Sequence, residues 1–462
     1  MKDRNILIYF IPTFLLILSW LGIIFVRQFS LIRFESMSFY SSMFIFIFFL
    51  CFLTGTLLGP LLFSSVPLSK RPVYSRSSVN RNANYLLFFA LISIMLLVAK
   101  FLSFIGDLSF SLADITELRL SRGRNSGEEK ASTFTGILGM AMSGFTVIAF
   151  IYKDYFSQEL TKKKNEQLYI AFWLGIFVSF LSGGRFAAMI AILIIAISHF
   201  LKKYTFKKHE TEASVKKLRK RKRNGIFSKF FKFLLYVTVL YIFSMIFIQR
   251  AIGDEDNFRV LLDVLSNNFD GIEFTADHKE FLLNNLSLIP LYFVISLFQY
   301  YIGHAFYQFD VLFSAPFPSN GPYFLTYQFY LHTTLLIKIG FDLPTINEIL
   351  ADLVNPGVYF TLAGAFLVDF GYVGSCLAIF IVAIIGSRYW VRYIRINGFF
   401  ELYASILFLV LIIFSPIVAI TGTGVYPSML TLAFILKLFI PKKEKRIMHN
   451  PRALEENLII TN

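Results

Sequence analysis

Charge is scarce in this sequence. Asp, Glu, Lys and Arg make up 16% of its 462 residues, where a soluble globular domain carries about 25%. That shortage excludes a water-soluble enzyme. Cysteine is nearly absent too. Cys51 and Cys376 both lie in apolar stretches, so there is no disulfide framework and no metal-type cysteine spacing. No internal repeat is visible, and with it goes the inverted-repeat signature of many transporters. What the chain holds in excess is apolar surface: 56% hydrophobic and 18% aromatic residues, 56 Phe and 23 Tyr, and a mean hydropathy of +0.64. Such a chain must find an apolar environment, which excludes disorder.

A hydrocarbon core of about 30 Å needs roughly 20 apolar residues per helix. Runs of that kind occur at 6–26, 39–63, 85–105, 133–152, 168–182, 186–201, 233–249, 372–389, 399–420 and 425–440. They are continuous rather than alternating with period 2, so they predict helices, not a barrel. The first run is too long for a signal-peptide core and lacks a small-residue cleavage site, so it is expected to stay as a helix.

The formal net charge of +15 would suggest nucleic acid in a soluble protein. Here no accompanying nucleic-acid fold exists, and the positive-inside rule accounts for the charge. With the N-terminus inside, 31 of the 44 Lys and Arg fall in inside segments, and 19 of the 29 Asp and Glu fall outside. Both termini are therefore expected in the cytoplasm. The densest run, Lys216-Lys217-Leu218-Arg219-Lys220-Arg221-Lys222-Arg223, reads as a solvated topology anchor against anionic lipid.

The expected architecture is an all-α polytopic membrane protein of 10–12 transmembrane helices. An N-terminal bundle covers 1–249, a long outer-face segment 250–371, and three helices with a basic cytoplasmic tail 372–462. Within the outer segment, 286–302 and 324–339 are apolar enough to span. Prolines 290, 316, 318, 322 and 344 interrupt the region and favour an outer-face subdomain with at least one interfacial or re-entrant helix.

Candidate chemistry sits at outer membrane depth. Ser182-Gly183-Gly184-Arg185 places an arginine after a glycine pair, at the start of an apolar run. A charge there is costly without an anionic partner, and a guanidinium fork suits two phosphate oxygens. Snorkelling to lipid phosphates is the plainer alternative. The outer loop holds Arg119, Arg122 and Arg124 with Gly123 and Gly127, able to cradle a phosphate or sugar. Arg250 opens the long outer segment, and Arg259 follows. Asp254-Glu255-Asp256 is a weak signal for a metal, and none is expected. Tyr300, Tyr301 and His304 combine sugar-stacking rings with a base; an interfacial aromatic belt explains the same residues. His332 competes as the base.

The Ser182-Gly183-Gly184-Arg185 turn, together with Tyr359-Phe360-Thr361 and Val368-Asp369-Phe370-Gly371-Tyr372-Val373-Gly374, resembles elements of the bacterial oligosaccharide repeat-unit polymerases of the Wzy type, which are active in O-antigen and capsule biosynthesis. The hydropathy profile resembles theirs as well. Some members carry R-x10-G in two outer loops; here Arg124–Gly136 and Arg259–Gly271 are one residue longer. The resemblance implies a GT-C-like glycosyltransferase of the bacterial inner membrane, acting on its outer face. The substrate would be an undecaprenyl-diphosphate-linked oligosaccharide, and no cofactor would be needed. A chain-length regulator and a flippase would be the partners, besides membrane lipid. Arg185, His304 and Asp369 would be catalytic. Arg122, Arg124, Arg250 and Arg259 would bind diphosphate, with Tyr300 and Tyr301 on the sugar. For Asp369, capping the turn before Gly371 is the competing role. An O-antigen ligase and a non-enzymatic lipid-linked glycan transporter are the alternative functions.

Overall fold

The computed structural model describes residues 6–63, 72, 74–105, 134–181, 185–206, 248, 259–268, 271–273, 276–315, 321–345, 348–349, 353, 360–422, 425–436 and 439–441. Arg122, Arg124, Arg250, Tyr359, the 254–256 acidic triplet, the basic run 216–223 and nearly all of the 233–249 run lie outside them.

The described chain is almost wholly helical. A 3-10 turn, Ile6–Phe10, leads into α1 (Ile11–Gln28), where Pro12 stands in the first turn and forfeits no intrahelical bond. A two-residue strand β1 (Arg33–Phe34) follows. Then come α2 (Phe39–Leu62), α3 (Arg76–Ile105), α4 (Phe134–Met142), α5 (Gly144–Tyr155), α6 (Lys162–Leu181) and α7 (Arg185–Phe206). The remainder is α8 (Arg259–Asn268), strand β2 (Ile272–Glu273), α9 (Ala276–Asn284), α10 (Ile289–Ser314), α11 (Tyr330–Lys338), α12 (Leu362–Ile396), α13 (Phe399–Phe414) and α14 (Tyr426–Leu436).

Six helical stretches among the described residues are long and apolar enough to cross a membrane: Ile6–Gln28, Phe39–Leu62, Arg76–Leu102, Phe134–Tyr155, Leu286–Ser314 and Leu362–Ile396. Their burial pattern is that of a lipid-facing bundle. Val373, Leu377, Ile381 and Ile385 form an exposed apolar stripe on α12, while Ser375, Ser387, Ser405, Ser415 and Ser428 are buried. In water that arrangement would be inverted. The bundle is built around α13, buried along most of its length. The second half of α12 packs along α2, with Gly55 against Ala383 and Gly59 against Ser387. A Cβ at either glycine has no room, so small residues set this close approach.

The structure decides one point that the sequence left open and departs from expectation in two places. The run 324–339, apolar enough to span, does not: 324–329 is turn, and α11 has nine residues. The run 133–152 is broken between Met142 and Gly144, where Ser428 Oγ accepts from the Gly144 N–H at 2.8 Å. The helix expected from 372 starts at Leu362 and contains a break at Gly371, whose φ is +69°. Glycine takes that left-handed conformation without a Cβ clash. Beside the helices, β1 and β2 pair antiparallel, Arg33 opposite Glu273 and Phe34 opposite Ile272; a ribbon this short leaves the all-α class intact.

The two ends of the bundle are distinct. At one, Tyr74 packs on Tyr155 and Phe156, the Tyr155 hydroxyl donates to Asn397 O, and Asn82 Nδ2 donates to Phe439 O at 2.8 Å. Segments that the charge map puts on one side therefore meet. At the other end, α10 packs against the 29–38 linker. The Tyr292 hydroxyl donates to Leu31 O at 2.9 Å, and the Ser38 hydroxyl to Asp310 Oδ1 at 2.7 Å. Phe306 meets Trp20, and Phe313 meets Phe44 and Tyr372. These partners belong to the later part of α1, the linker, the first turns of α2 and the start of α12's second half. α10 thus lies along the linker end of the bundle.

Candidate functional site

The linker end holds two polar clusters. The first grows from Arg27 in the last turn of α1, where a cation suits the helix dipole. Its Nη1 donates to Gly303 O at 2.6 Å and its Nη2 to Glu35 O at 2.8 Å. The guanidinium lies over the Phe34 ring at 4.8 Å and the Phe306 ring at 5.7 Å. Among the described residues no carboxylate lies within 4.0 Å of Arg27. Carbonyl dipoles and ring faces thus stabilise the cation in place of a full counter-charge.

Next to Gly303 on α10, His304 is buried at 3% exposure. Its ring stacks on Tyr300 at 4.7 Å, and its Nδ1 donates to Tyr300 O at 2.9 Å. Nε2 is left as the nitrogen able to meet a substrate. Tyr300 packs with Ile32, Phe34 and Ile272. His304 covers one of its faces, so Tyr300 holds the base in place. Tyr301, edge-on to His304 and 39% exposed, keeps a ring available for a sugar. Gln308, one turn on, is buried, and neither of its amide atoms has a hydrogen-bond partner among the described residues.

The second cluster forms where α12 breaks. Thr361 caps the first half by accepting from the Gly364 N–H at 3.3 Å, and residues 362–369 are all buried. Asp369 is fully buried. Its Oδ1 accepts from the Tyr327 N–H at 3.0 Å and its Oδ2 from the Gln328 N–H at 3.1 Å. Its carbonyl accepts from the Phe324 N–H at 2.9 Å. Phe324 and Leu325 have φ of +44° and +71°, conformations that non-glycine residues adopt only when surrounding contacts impose them. Asp369 is therefore a clamp on the turn 323–328 and not a cap on the turn before Gly371. With each oxygen engaged by an N–H, its role is to position that turn and the start of α11 beyond it. Burial pushes the Tyr327 phenol pKa up, with the negative charge of Asp369 adding to the shift. In α11, His332 Nε2 meets Thr431 Oγ1 at 2.7 Å, and its Nδ1 is buried without a partner among the described residues. Burial lowers its pKa below the ordinary histidine value.

The structure thus brings Tyr300, Tyr301 and His304 together and adds Arg27, while Asp369 belongs to a separate segment. Arg185 opens α7. Since α6 starts beside Thr161, which is bonded to Asn80 at the opposite end, and rises about 30 Å over 20 residues, Arg185 begins its helix at the linker end. Arg259 opens α8 and is exposed. Sequence reasoning missed Arg27, although the signal was there: like Arg185, it is an arginine at the boundary of an apolar run.

Compared with known proteins, the chain matches no family model, no curated protein and no solved structure.

Proposed function

We propose that this membrane protein polymerises lipid-diphosphate-linked oligosaccharide repeat units on the outer face of a bacterial inner membrane. The observation that carries this reading is convergence. The Asp369-Phe370-Gly371 element, with Asp369 buried, breaks α12 at the same end of the bundle as Arg27, His304 and the start of α7 at Arg185. Broken helices at membrane depth are tolerated where they are packed in protein or line a water-filled cavity.

In the reaction, an acceptor sugar hydroxyl of a new repeat unit attacks the anomeric carbon of the nascent glycan. The new C–O bond forms as the bond to the undecaprenyl diphosphate breaks, and the diphosphate leaves with the electron pair. The hydroxyl proton passes to a base, with His304 Nε2 the first candidate and His332 the second. Arg185, Arg122, Arg124 and Arg250, joined by Arg27, supply positive charge for the leaving diphosphate, so no metal is required. Arg259 and Tyr301 bind the glycan, and Tyr300 and Asp369 position the site. A flippase would deliver the repeat unit, and a chain-length regulator would act beside the protein.

Deleting the gene tests the reading. A polymerase deletion leaves single repeat units attached at the surface and removes the ladder above them. Lipid-linked polymer that never reaches its acceptor would instead identify a ligase. Repeat units held on the cytoplasmic face would identify a transporter.

A further inference from the structure

A cavity of about 460 Å³ opens at the other end of the bundle, away from Arg27 and Asp369. It lies among Tyr74, Arg388, Tyr389, Arg392, Phe400 and Glu401. Its size is in the range of small-molecule sites, and it pairs apolar walls with a few convergent polar groups. Arg388 and Arg392 are one turn apart on α12, on the same helix face. Arg392 Nη2 pairs with Glu401 Oε1 at 3.1 Å, while its Nε is buried without a partner among the described residues. Glu401 lies close against Gly398, the N-cap of α13, in the first turn of that helix. Arg388 has no carboxylate within 4.0 Å among the described residues, and its guanidinium lies over the Phe63 ring at 5.2 Å. Two guanidinium groups against one carboxylate leave the cavity with one positive charge to neutralise.

We propose that this cavity binds a phosphate-bearing anion, with Arg388 as the principal phosphate ligand and Arg392, held by Glu401, adding its charge beside it. Tyr74, Tyr389 and Phe400 cover the adjoining apolar portion. The guanidinium fork matches phosphate oxygens, and the bundle end is where the headgroups of an anionic phospholipid lie. The proposal rests on the membrane reading and is independent of the glycosyl-transfer reading.

The test uses the purified full-length protein in vesicle-derived nanodiscs of phosphatidylcholine, with and without phosphatidylglycerol. Native mass spectrometry reads retained lipid. Inorganic phosphate and glycerol 3-phosphate, added to the phosphatidylcholine discs, form the soluble arm. Wild type is expected to retain phosphatidylglycerol over phosphatidylcholine. Arg388→Gln should lose that preference about tenfold, the scale of one charge-assisted contact, while Arg388→Lys, which keeps the charge, retains part of it. Arg76→Gln, which removes one exposed charge at the start of α3 and outside the cavity, should leave the preference intact, which separates a built site from diffuse attraction. Binding of inorganic phosphate or glycerol 3-phosphate that Arg388→Gln abolishes would support the site with a soluble occupant. Absence of both kinds of binding, or retention of phosphatidylglycerol unchanged in a normally folded Arg388→Gln protein, would overturn the proposal. The glycan ladder does not enter this readout, so its failure and the failure of the polymerase reading are separable.

Discussion

The two ends of the bundle treat charge differently. At the end that holds Tyr74 and Asn397, Arg392 meets Glu401 at 3.1 Å on side chains 35% and 14% exposed. Cation meets anion at a partly solvated edge of the bundle. At the linker end, Arg27 is held by carbonyls and rings, and Asp369 by backbone N–H groups with no cation among its bonded partners. There each charge fixes main chain, and its loss leaves buried dipoles unanswered. The first arrangement suits a boundary. The second suits a site whose backbone must hold an otherwise unfavourable shape.

Substitutions can break this contrast, and the largest effect is expected at Arg185. Arg185→Ala should abolish polymer while single repeat units still appear, because losing one charge-stabilising donor costs ~10²–10³ in rate. Arg185→Lys should recover little, since an ammonium lacks the bidentate fork. A surface-glycan gel read beside membrane abundance checks both; long chains from normally abundant Arg185→Ala protein would reduce Arg185 to an interfacial residue.

Asp369→Asn should come next. It removes the charge from two buried hydrogen bonds and presents an amide to one N–H, at a cost of about 2–3 kcal/mol. A lowered thermal midpoint in detergent, with loss of the glycan ladder, is the expected result. An unchanged midpoint would mean that the turn 323–328 holds without the clamp. Arg27→Gln should rank third at about 2 kcal/mol, through lost bonds to Gly303 and Glu35 and lost ring contacts. Glu401→Gln, at the other end, should cost about 1 kcal/mol or less, because the ion pair borders solvent. If Glu401→Gln destabilises more than Asp369→Asn, the contrast between the ends fails.

The smallest effect concerns pH. Burial places the folded-state pKa of His332 below its unfolded value of 6.5, so the unfolded chain binds the extra proton first. The contribution of this residue is fully present above about pH 6.5 and declines as pH falls through that value. Comparing the thermal midpoint of wild type and His332→Gln across that range should show a weaker acid dependence in the variant.

Much of the helical pattern was legible because its signal is local. The apolar runs of α2 and α3 arise from the requirement that each backbone group in lipid be bonded within its own segment. The charge map grouped 64–84, 153–167 and 387–398 on one side, and the fold brings described residues of these segments into contact. Arg27 was legible in principle as an arginine at a run boundary. The first half of α12 was not: Leu362–Phe370 is too short to read as a span, and Gly371 separates it from the stretch that does.

By itself, then, the sequence determined the class: a chain this apolar and this poor in charge must expose its side chains to lipid. The tertiary structure alone decided that 324–339 folds as turn and short helix, that α10 lies along one end, and that Asp369 holds Tyr327 and Gln328. Those outcomes depend on partners some 40 residues or more away, such as Asp369 for the turn and Trp20 and Phe44 for α10, and no local periodicity encodes them.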